Sequence, residues 1–464
     1  MSDHEPQIPL AKMRAAGQTE DAVRAFVSAL ERVRAGHEAL LPSSELEPAS
    51  GVPTLEALPD ADGASALAGV AVIKLNGGLA TSMGLQQPKS LLEARDGHTF
   101  LDIIIGQTLA LRRRFGVRLP LVLLNSDVTR AATEAALAAY PELPVEGFEP
   151  DFLQSMVPKL DPDTLEAVSW PPNPRLEWAP PGHGDVYAAL RGSGMLAALL
   201  ERGFRYAMIS NADNLGSSVE PRIAAHVARE RIPFLMEVVT GTEADRKGGH
   251  IARRIADGQL VLRETAQTPP EDADSFRDFR RWRYYNTNSL WVDLEVLEKT
   301  LAARHSGLEL PVILNRKTVD PRDPDSPPVV QLESAMGAAI GSFAGAQLLL
   351  VPRTRFIPVK TTDDLLVLRS DIYSLGDDGR VSPAPGRDGA LPYVELQKRY
   401  YGLIDAFEQR FPDGPPSLRE AERLVVHGDV TFSAGVVVRG AVELTAPEPV
   451  TLEPGTVLEG SREL

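Results

Sequence analysis

The chain has no cysteine, and that absence excludes a good deal. Disulfides, thiolate metal sites and cysteine nucleophiles fall away, and the usage fits a reducing compartment. Lysine is scarce: nine of the 48 Lys and Arg residues are lysine, the rest arginine. No apolar run approaches the roughly 20 residues that a membrane-spanning helix needs. The opening residues Met1 to Pro6 carry neither the basic nor the apolar stretch of a signal peptide. The expected location is cytoplasmic, with no membrane partner. Positive charge is also lacking: a net charge of −16 argues against broad binding to nucleic acid. With 464 residues and 43% hydrophobic content, the chain can bury a large core and should divide into two or three domains. An acidic chain that handles phosphates must gather its few cations locally. Two lysines, Lys89 and Lys360, lie in the most unusual local sequences. With arginine the default cation here, those positions call for a compact ammonium.

Three regions are expected: an N-terminal helical segment and linker over 1–66, a catalytic domain over 67–375, and a C-terminal domain over 376–464. In the first, Val23, Phe26, Val27, Leu30 and Val33 make one apolar stripe between a capping Thr19 and Gly36, which predicts a helix over 19–35. Residues 42–66, rich in Pro, Ser, Glu, Asp and Gly, read as a linker. From Val70 to about Leu375 apolar strands alternate with helical patterns, which implies α/β architecture with a doubly wound, mainly parallel sheet. The strand candidates are 70–75, 121–125, 206–210, 233–239, 289–293 and 347–351. Residues 249–264 read as a hairpin turning at Asp257-Gly258. In the tail, Leu424, Val430, Val436 and Val442 recur every six residues, and Leu452 and Leu458 resume the spacing. That period fits a short parallel β-helix over about 422–464, against a plain antiparallel β-cap as the bland alternative. Two coils are few for independent stability, so the unit should lean on the catalytic domain or on another subunit. A homo-oligomer through it is one expected assembly.

The chemistry concentrates after the first strand. Val70 to Ile73 runs into Lys74-Leu75-Asn76-Gly77-Gly78-Leu79-Ala80-Thr81-Ser82-Met83-Gly84, then Pro88-Lys89-Ser90. Glycines let backbone N–H groups approach an anion, and a lysine adds a point charge. The spacing is neither the G-x-G-x-x-G of a dinucleotide fold nor a Walker loop, which disfavours a dehydrogenase. Other clusters fall near strand ends, where ligands gather in open α/β sheets. They are Pro181-Gly182-His183-Gly184-Asp185, Ser210-Asn211-Ala212-Asp213-Asn214, Asn286-Thr287-Asn288-Ser289-Leu290-Trp291, and Arg355-Phe356-Ile357-Pro358-Val359-Lys360. Taken singly, each has an ordinary reading. Asp213 could cap a helix, His183 could be a structural histidine, the asparagines could be turn residues, and Lys360 could be solvated. A strand-end carboxylate facing a phosphate loop also suits Mg²⁺. Paired amides at alternate strand positions share a face and suit sugar hydroxyls.

Together, with Arg246-Lys247-Gly248-Gly249, these motifs stand in an order that resembles the eukaryotic-type UDP-glucose pyrophosphorylase family, the UTP–glucose-1-phosphate uridylyltransferases. The resemblance covers about 70–375 and weakens through the tail. It implies a Rossmann-like nucleotidyltransferase fold with a small C-terminal left-handed parallel β-helix, UTP and glucose 1-phosphate as substrates, and Mg²⁺ as cofactor. By resemblance, Leu75, Asn76, Gly77 and Gly78 contact the nucleotide, Gln154 reads the uracil edge, and Gly182 lets the backbone approach the base. Lys89 and Lys360 serve as catalytic cations on the phosphates, and Asp213 binds the metal. His183 and Asn211 hold glucose 1-phosphate or the ribose side, and Gly249, Asn286 and Asn288 border the glucose. Ala80 departs from the glycine usual in the family, and the stretch after Gln154 is less basic than usual. Two other readings remain open at this level: a UDP-N-acetylglucosamine or broad-specificity UDP-sugar pyrophosphorylase, and a non-catalytic UDP-sugar-binding scaffold.

Overall fold

Ten strands make the central sheet of the computed structural model, which describes residues 7–36, 40–304, 306–385 and 391–464; Met1 to Pro6 lie outside the described residues. In chain order they are β1 (Leu46–Pro48), β2 (Val70–Asn76), β3 (Leu121–Asn125), β4 (Asp151–Leu153) and β5 (Tyr206–Asn211). There follow β6 (Phe234–Thr240), β7 (His250–Arg254), β8 (Leu260–Arg263), β9 (Tyr284–Asp293) and β10 (Gln347–Leu350). The sheet order is β1-β7-β9-β5-β2-β3-β4, with β6 beside β9, β10 beside β6, and β8 beside β7.

Every expected strand is present, but the direction of one differs. Strands β4, β3, β2 and β5 are mutually parallel, as are β6 and β10. Residues 289–293, expected within a parallel run, end the long β9, which runs antiparallel to both β5 and β6. Apolar alternation marks a strand without giving its direction, so the sequence pattern could not show this. The parallel strands are buried on both faces, which explains their unbroken apolar runs. On one face Val72, Leu123, Met208 and Trp291 pack with the helix Phe100–Phe115 and with Ile223 and Val227 of Pro221–Glu230. On the other, Ile73, Leu124 and Ile209 pack with Leu190, Leu196 and Leu297. The side-chain period of two divides the residues between the two cores.

The N-terminal helix spans Glu20–Arg34, with Thr19 Oγ1 accepting the Ala22 N–H at 3.3 Å and Gly36 at φ +68° after its end. Its stripe packs on Val157, Leu160, Val330 and Leu332. The linker reading of 42–66 is overturned. Leu46–Pro48 pairs with Arg254–Ala252 as a sheet strand, and Leu55 and Leu58 join the main core. Sparse apolar residues among prolines and acids were enough to bury it. The hairpin forms as expected, with Gly258 at φ +70°.

The tail carries β11 (Tyr393–Leu396), β12 (Ser417–Thr431), β13 (Val437–Thr451) and β14 (Val457–Glu463), all parallel. Leu424 stands opposite Val442, and Val438 opposite Leu458. The antiparallel cap is thereby excluded. No helix among the described residues is long and apolar enough to cross a membrane.

Candidate active site

The loop leaving β2 is shaped by what lies beside it. A Cβ on Gly77 would sit 2.3 Å from the Gln154 amide oxygen, whereas one on Gly78 would meet nothing within 4 Å. Gly77 therefore makes room for Gln154, and Gly78 leaves open space over the loop. Leu79 pairs with Pro88, and Lys89 N–H donates to Gly78 O at 3.2 Å, so the loop folds back on itself and returns Lys89 to the strand end. Asn76 turns its side chain into the protein, which leaves its main chain to face the loop. Its amide donates to Asn125 Oδ1 at 2.7 Å and to Thr133 Oγ1 at 3.0 Å, and the residue is 3% exposed. Its side-chain donors are consumed by a buried network that Asn125 extends to Asp151. Leu75 accepts the Ala212 N–H through its carbonyl, tying this loop to the one leaving β5.

That second loop carries the acid. Lys89 Nζ lies 2.8 Å from Asp213 Oδ2, with both side chains 19% exposed. Asp213 does not cap a helix; the next helix begins at Pro221 and is capped by Glu220. Its backbone carbonyl accepts the Val359 N–H at 3.1 Å, and Asn214 bridges to Pro358. The residue before Lys360 is thereby fastened to Asp213. The Lys360 ammonium is exposed and acts electrostatically on His183 and Glu264. Lys89, Asp213 and Lys360, far apart in the chain, meet at one end of the sheet.

On the adjoining side His183 is held as a neutral ring. Desolvation by the protein packed around the ring, and then the Lys360 charge, push its pKa down to about 4, although the side chain keeps an exposed edge. Its Nδ1 accepts the Met336 N–H at 3.0 Å, which leaves Nε2 to carry the proton. Gly182, at φ +78°, has no room for a side chain: a Cβ would sit 2.5 Å from Ser334 O. The antiparallel run of β9 matters here. It places the start of that strand beside the carboxyl ends of its neighbours. The register slips between Glu237 and Val238, leaving Thr287 and Asn288 as a bulge with Asn288 at φ +55°. The two asparagines therefore do not merely alternate. They hold each other, Asn286 Nδ2 to Asn288 Oδ1 at 2.9 Å and Asn288 N–H to Asn286 Oδ1 at 2.8 Å. Asn211 ends β5 opposite Leu75. Gly249 borders Glu264, whose Oε1 lies 2.5 Å from where a Cβ would be.

A sequence profile described as UTP–glucose-1-phosphate uridylyltransferase matches residues 25–439. The chain belongs to this family. The enzyme of that description from Hordeum vulgare is 40% identical over 84% of this chain and 80% of its own length. A probable one from Schizosaccharomyces pombe is 38% identical over 84% of this chain and 76% of its own. A mutant UDP-glucose pyrophosphorylase from Leishmania major, solved in complex with UDP-glucose, superposes with a TM-score of 0.94 at 41% identity over 100% of both chains. A Trypanosoma brucei relative gives 0.91 at 40% identity over 99% of both chains.

In this uridylyltransferase, one residue beside the candidate site was not brought out by the motifs. Glu264 is half-buried, and its partial desolvation raises its carboxyl pKa against the opposing charge of Lys360. The signal was present. Gly249 and Glu264 flank the open ends of a hairpin whose register pairs His250 with Arg263. For a divalent ion, the fit rests on Asp213 Oδ1, a buried oxygen with no hydrogen-bond partner. Among the described residues no group of three or more His, Cys, Asp or Glu could hold a metal. A single carboxylate suits Mg²⁺, which takes its other ligands from phosphates and water.

Proposed function

We propose that this uridylyltransferase makes UDP-glucose and pyrophosphate from UTP and glucose 1-phosphate by in-line attack on the α-phosphorus of UTP. The convergence of Lys89, Asp213 and Lys360 at one sheet end carries the reading. The phosphate oxygen of glucose 1-phosphate forms the new P–O bond as the bond to pyrophosphate breaks. That nucleophile is ionised at neutral pH, so no general base is needed. Catalysis then consists of alignment and charge neutralisation. Mg²⁺, held by Asp213, supplies charge neutralisation on the phosphates when bound. Lys89 and Lys360 neutralise the phosphates from two sides of the cleft, and the open space above Gly78 admits the nucleotide backbone. Gln154 reads the uracil edge while the Gly182 main chain borders the base. Neutral His183 donates from Nε2 to a sugar-phosphate or ribose oxygen, with Asn211 beside it. Asn286, Asn288, Gly249 and Glu264 border the glucose; the mutual lock of the two asparagines supports this by fixing their amides before substrate arrives.

The tail is read as a short left-handed parallel β-helix, on the strength of its six-residue period and its paired parallel strands, and as the surface through which copies of the chain associate. The chain is placed in the cytoplasm on its lack of cysteine. The test of function is direct. Purified protein is incubated with UTP, Mg²⁺ and, separately, glucose 1-phosphate and N-acetylglucosamine 1-phosphate. UDP-glucose with released pyrophosphate is the expected product. Preferential formation of UDP-N-acetylglucosamine, or no pyrophosphate from either sugar, contradicts the proposal.

A further inference from the structure

Two motif residues, Lys74 and Arg355, have no place in the reaction as described, yet both lie directly beneath it. Lys74 is the fifth residue of β2 and is 2% exposed. Its Nζ donates to Ser210 Oγ at 2.7 Å and to the Ser217 carbonyl at 2.6 Å. Arg355 comes from the segment leading to Lys360. Its Nη2 donates to the Ser218 carbonyl at 2.8 Å, while Nε and Nη2 reach the two oxygens of Glu237 at 2.7 and 2.8 Å. Glu237 is fully buried and also accepts from Trp291 Nε1 at 2.9 Å. Two buried side chains from separate strands and loops thus grip consecutive carbonyls at the foot of one loop. That loop begins at Asp213.

The grip has no slack. A Cβ on Gly216 would sit 2.5 Å from Thr354 O, so the loop and the Arg355 segment are in backbone contact. Asn214 completes the joint, donating to Arg355 O at 3.2 Å and accepting the Ile357 N–H at 3.0 Å. Ser217 Oγ meets Ser289 Oγ at 2.7 Å and ties the same foot to β9. Buried donors of this kind stay paired because an unpaired one is costly, so they fix one loop conformation. A displacement of about 1 Å at a reacting group can cost about 100-fold in rate.

We propose that Lys74 and Arg355 are positioning residues for uridylyl transfer, holding the Ser217 and Ser218 carbonyls so that Asp213 stays in register with Lys360. The proposal rests on the reading of Asp213 and Lys360 given above, and the test separates the two. Lys74→Met keeps the buried stem and removes the donors. It is compared with Asp213→Asn and with the double variant for kcat, for KM of both substrates, and for amide hydrogen exchange over residues 211–218. Lys74→Met is expected to lower kcat about 10- to 100-fold, with the KM for glucose 1-phosphate near that of the parent. Exchange over 211–218 should quicken without global unfolding. In the double variant the kcat loss should be no larger than that of Asp213→Asn alone, because Lys74 acts through that residue. Multiplying losses, or unchanged exchange over 211–218, overturn the positioning role while leaving Asp213 its own. Full activity of Asp213→Asn overturns both readings together. Should Lys74→Met fail to fold, Ser210→Ala, which removes one of the lysine's two partners, is run through the same cycle. The same non-additive loss supports the proposal, and multiplying losses overturn it.

Discussion

Two layers of charge lie one above the other at the carboxyl end of the sheet, and they are finished to different degrees. Below, Lys74, Arg355 and Glu237 are buried, and each polar group has its partner. Above, Lys89 and Asp213 are partly open, Asp213 Oδ1 has no partner, and Lys360 is exposed. The lower layer is satisfied within the protein, whereas the upper one leaves a carboxylate oxygen without a partner. A buried charge network serves shape when it is satisfied and serves chemistry when it is left wanting.

If that contrast holds, substitutions should divide by layer. The largest effect is expected below. Glu237→Gln leaves the Arg355 guanidinium buried without its counter-charge and should cost about 3–5 kcal/mol of unfolding free energy, read by chemical denaturation. A loss under 1 kcal/mol would show that the lower layer is not what fixes the loop. Next come Lys89→Ala and Lys360→Ala, each expected to lower kcat about 10²–10³-fold with the unfolding midpoint nearly unmoved. Full turnover in both would break the assignment of the upper layer. Gly77→Ala should lower kcat/KM for UTP about tenfold, a typical cost of displacing one buried partner, since its methyl would meet Gln154. Unchanged UTP kinetics would remove Gln154 from the base site.

The last expectation concerns acid stability. His250 is fully buried, stacks on Trp282 at 4.9 Å, and has no partner for either ring nitrogen. Burial, and then the Arg263 charge, push its pKa down to about 3. Its folded pKa lies below the unfolded one. The neutral ring therefore contributes stability that is whole above about pH 6.5 and is lost as pH falls toward 3. The loss approaches about 1.4 kcal/mol for each pH unit. His250→Phe should flatten the decline of the unfolding midpoint between pH 7 and 5; an identical decline would assign the acid sensitivity to other groups.

The same division marks what the sequence could disclose. Strand positions, the helix capped by Thr19, and the hairpin at Gly258 follow from local periodicity and turn chemistry, and all are found. The meeting of residues 89, 213 and 360 was legible because glycine loops, a strand-end acid and scarce lysines are unusual in themselves. What escaped depends on partners distant in the chain. The direction of β9 is set by its neighbours, and its bulge by the register with β6. The side-chain partners of Asn76 also escaped, because Asn125 and Thr133, which hold its amide, lie about fifty residues further along the chain. Residues 42–66 carried linker composition, yet the buried Leu46, Leu55 and Leu58 and one paired edge drew them into the fold.

The claim that the upper layer awaits its ligand is tested most directly by thermal unfolding with UTP, with and without Mg²⁺, in the parent and in Asp213→Asn. A ligand that binds the folded state raises the midpoint by mass action. Mg²⁺ should add a further rise in the parent and none in Asp213→Asn. An equal Mg²⁺-dependent rise in both proteins would contradict the account.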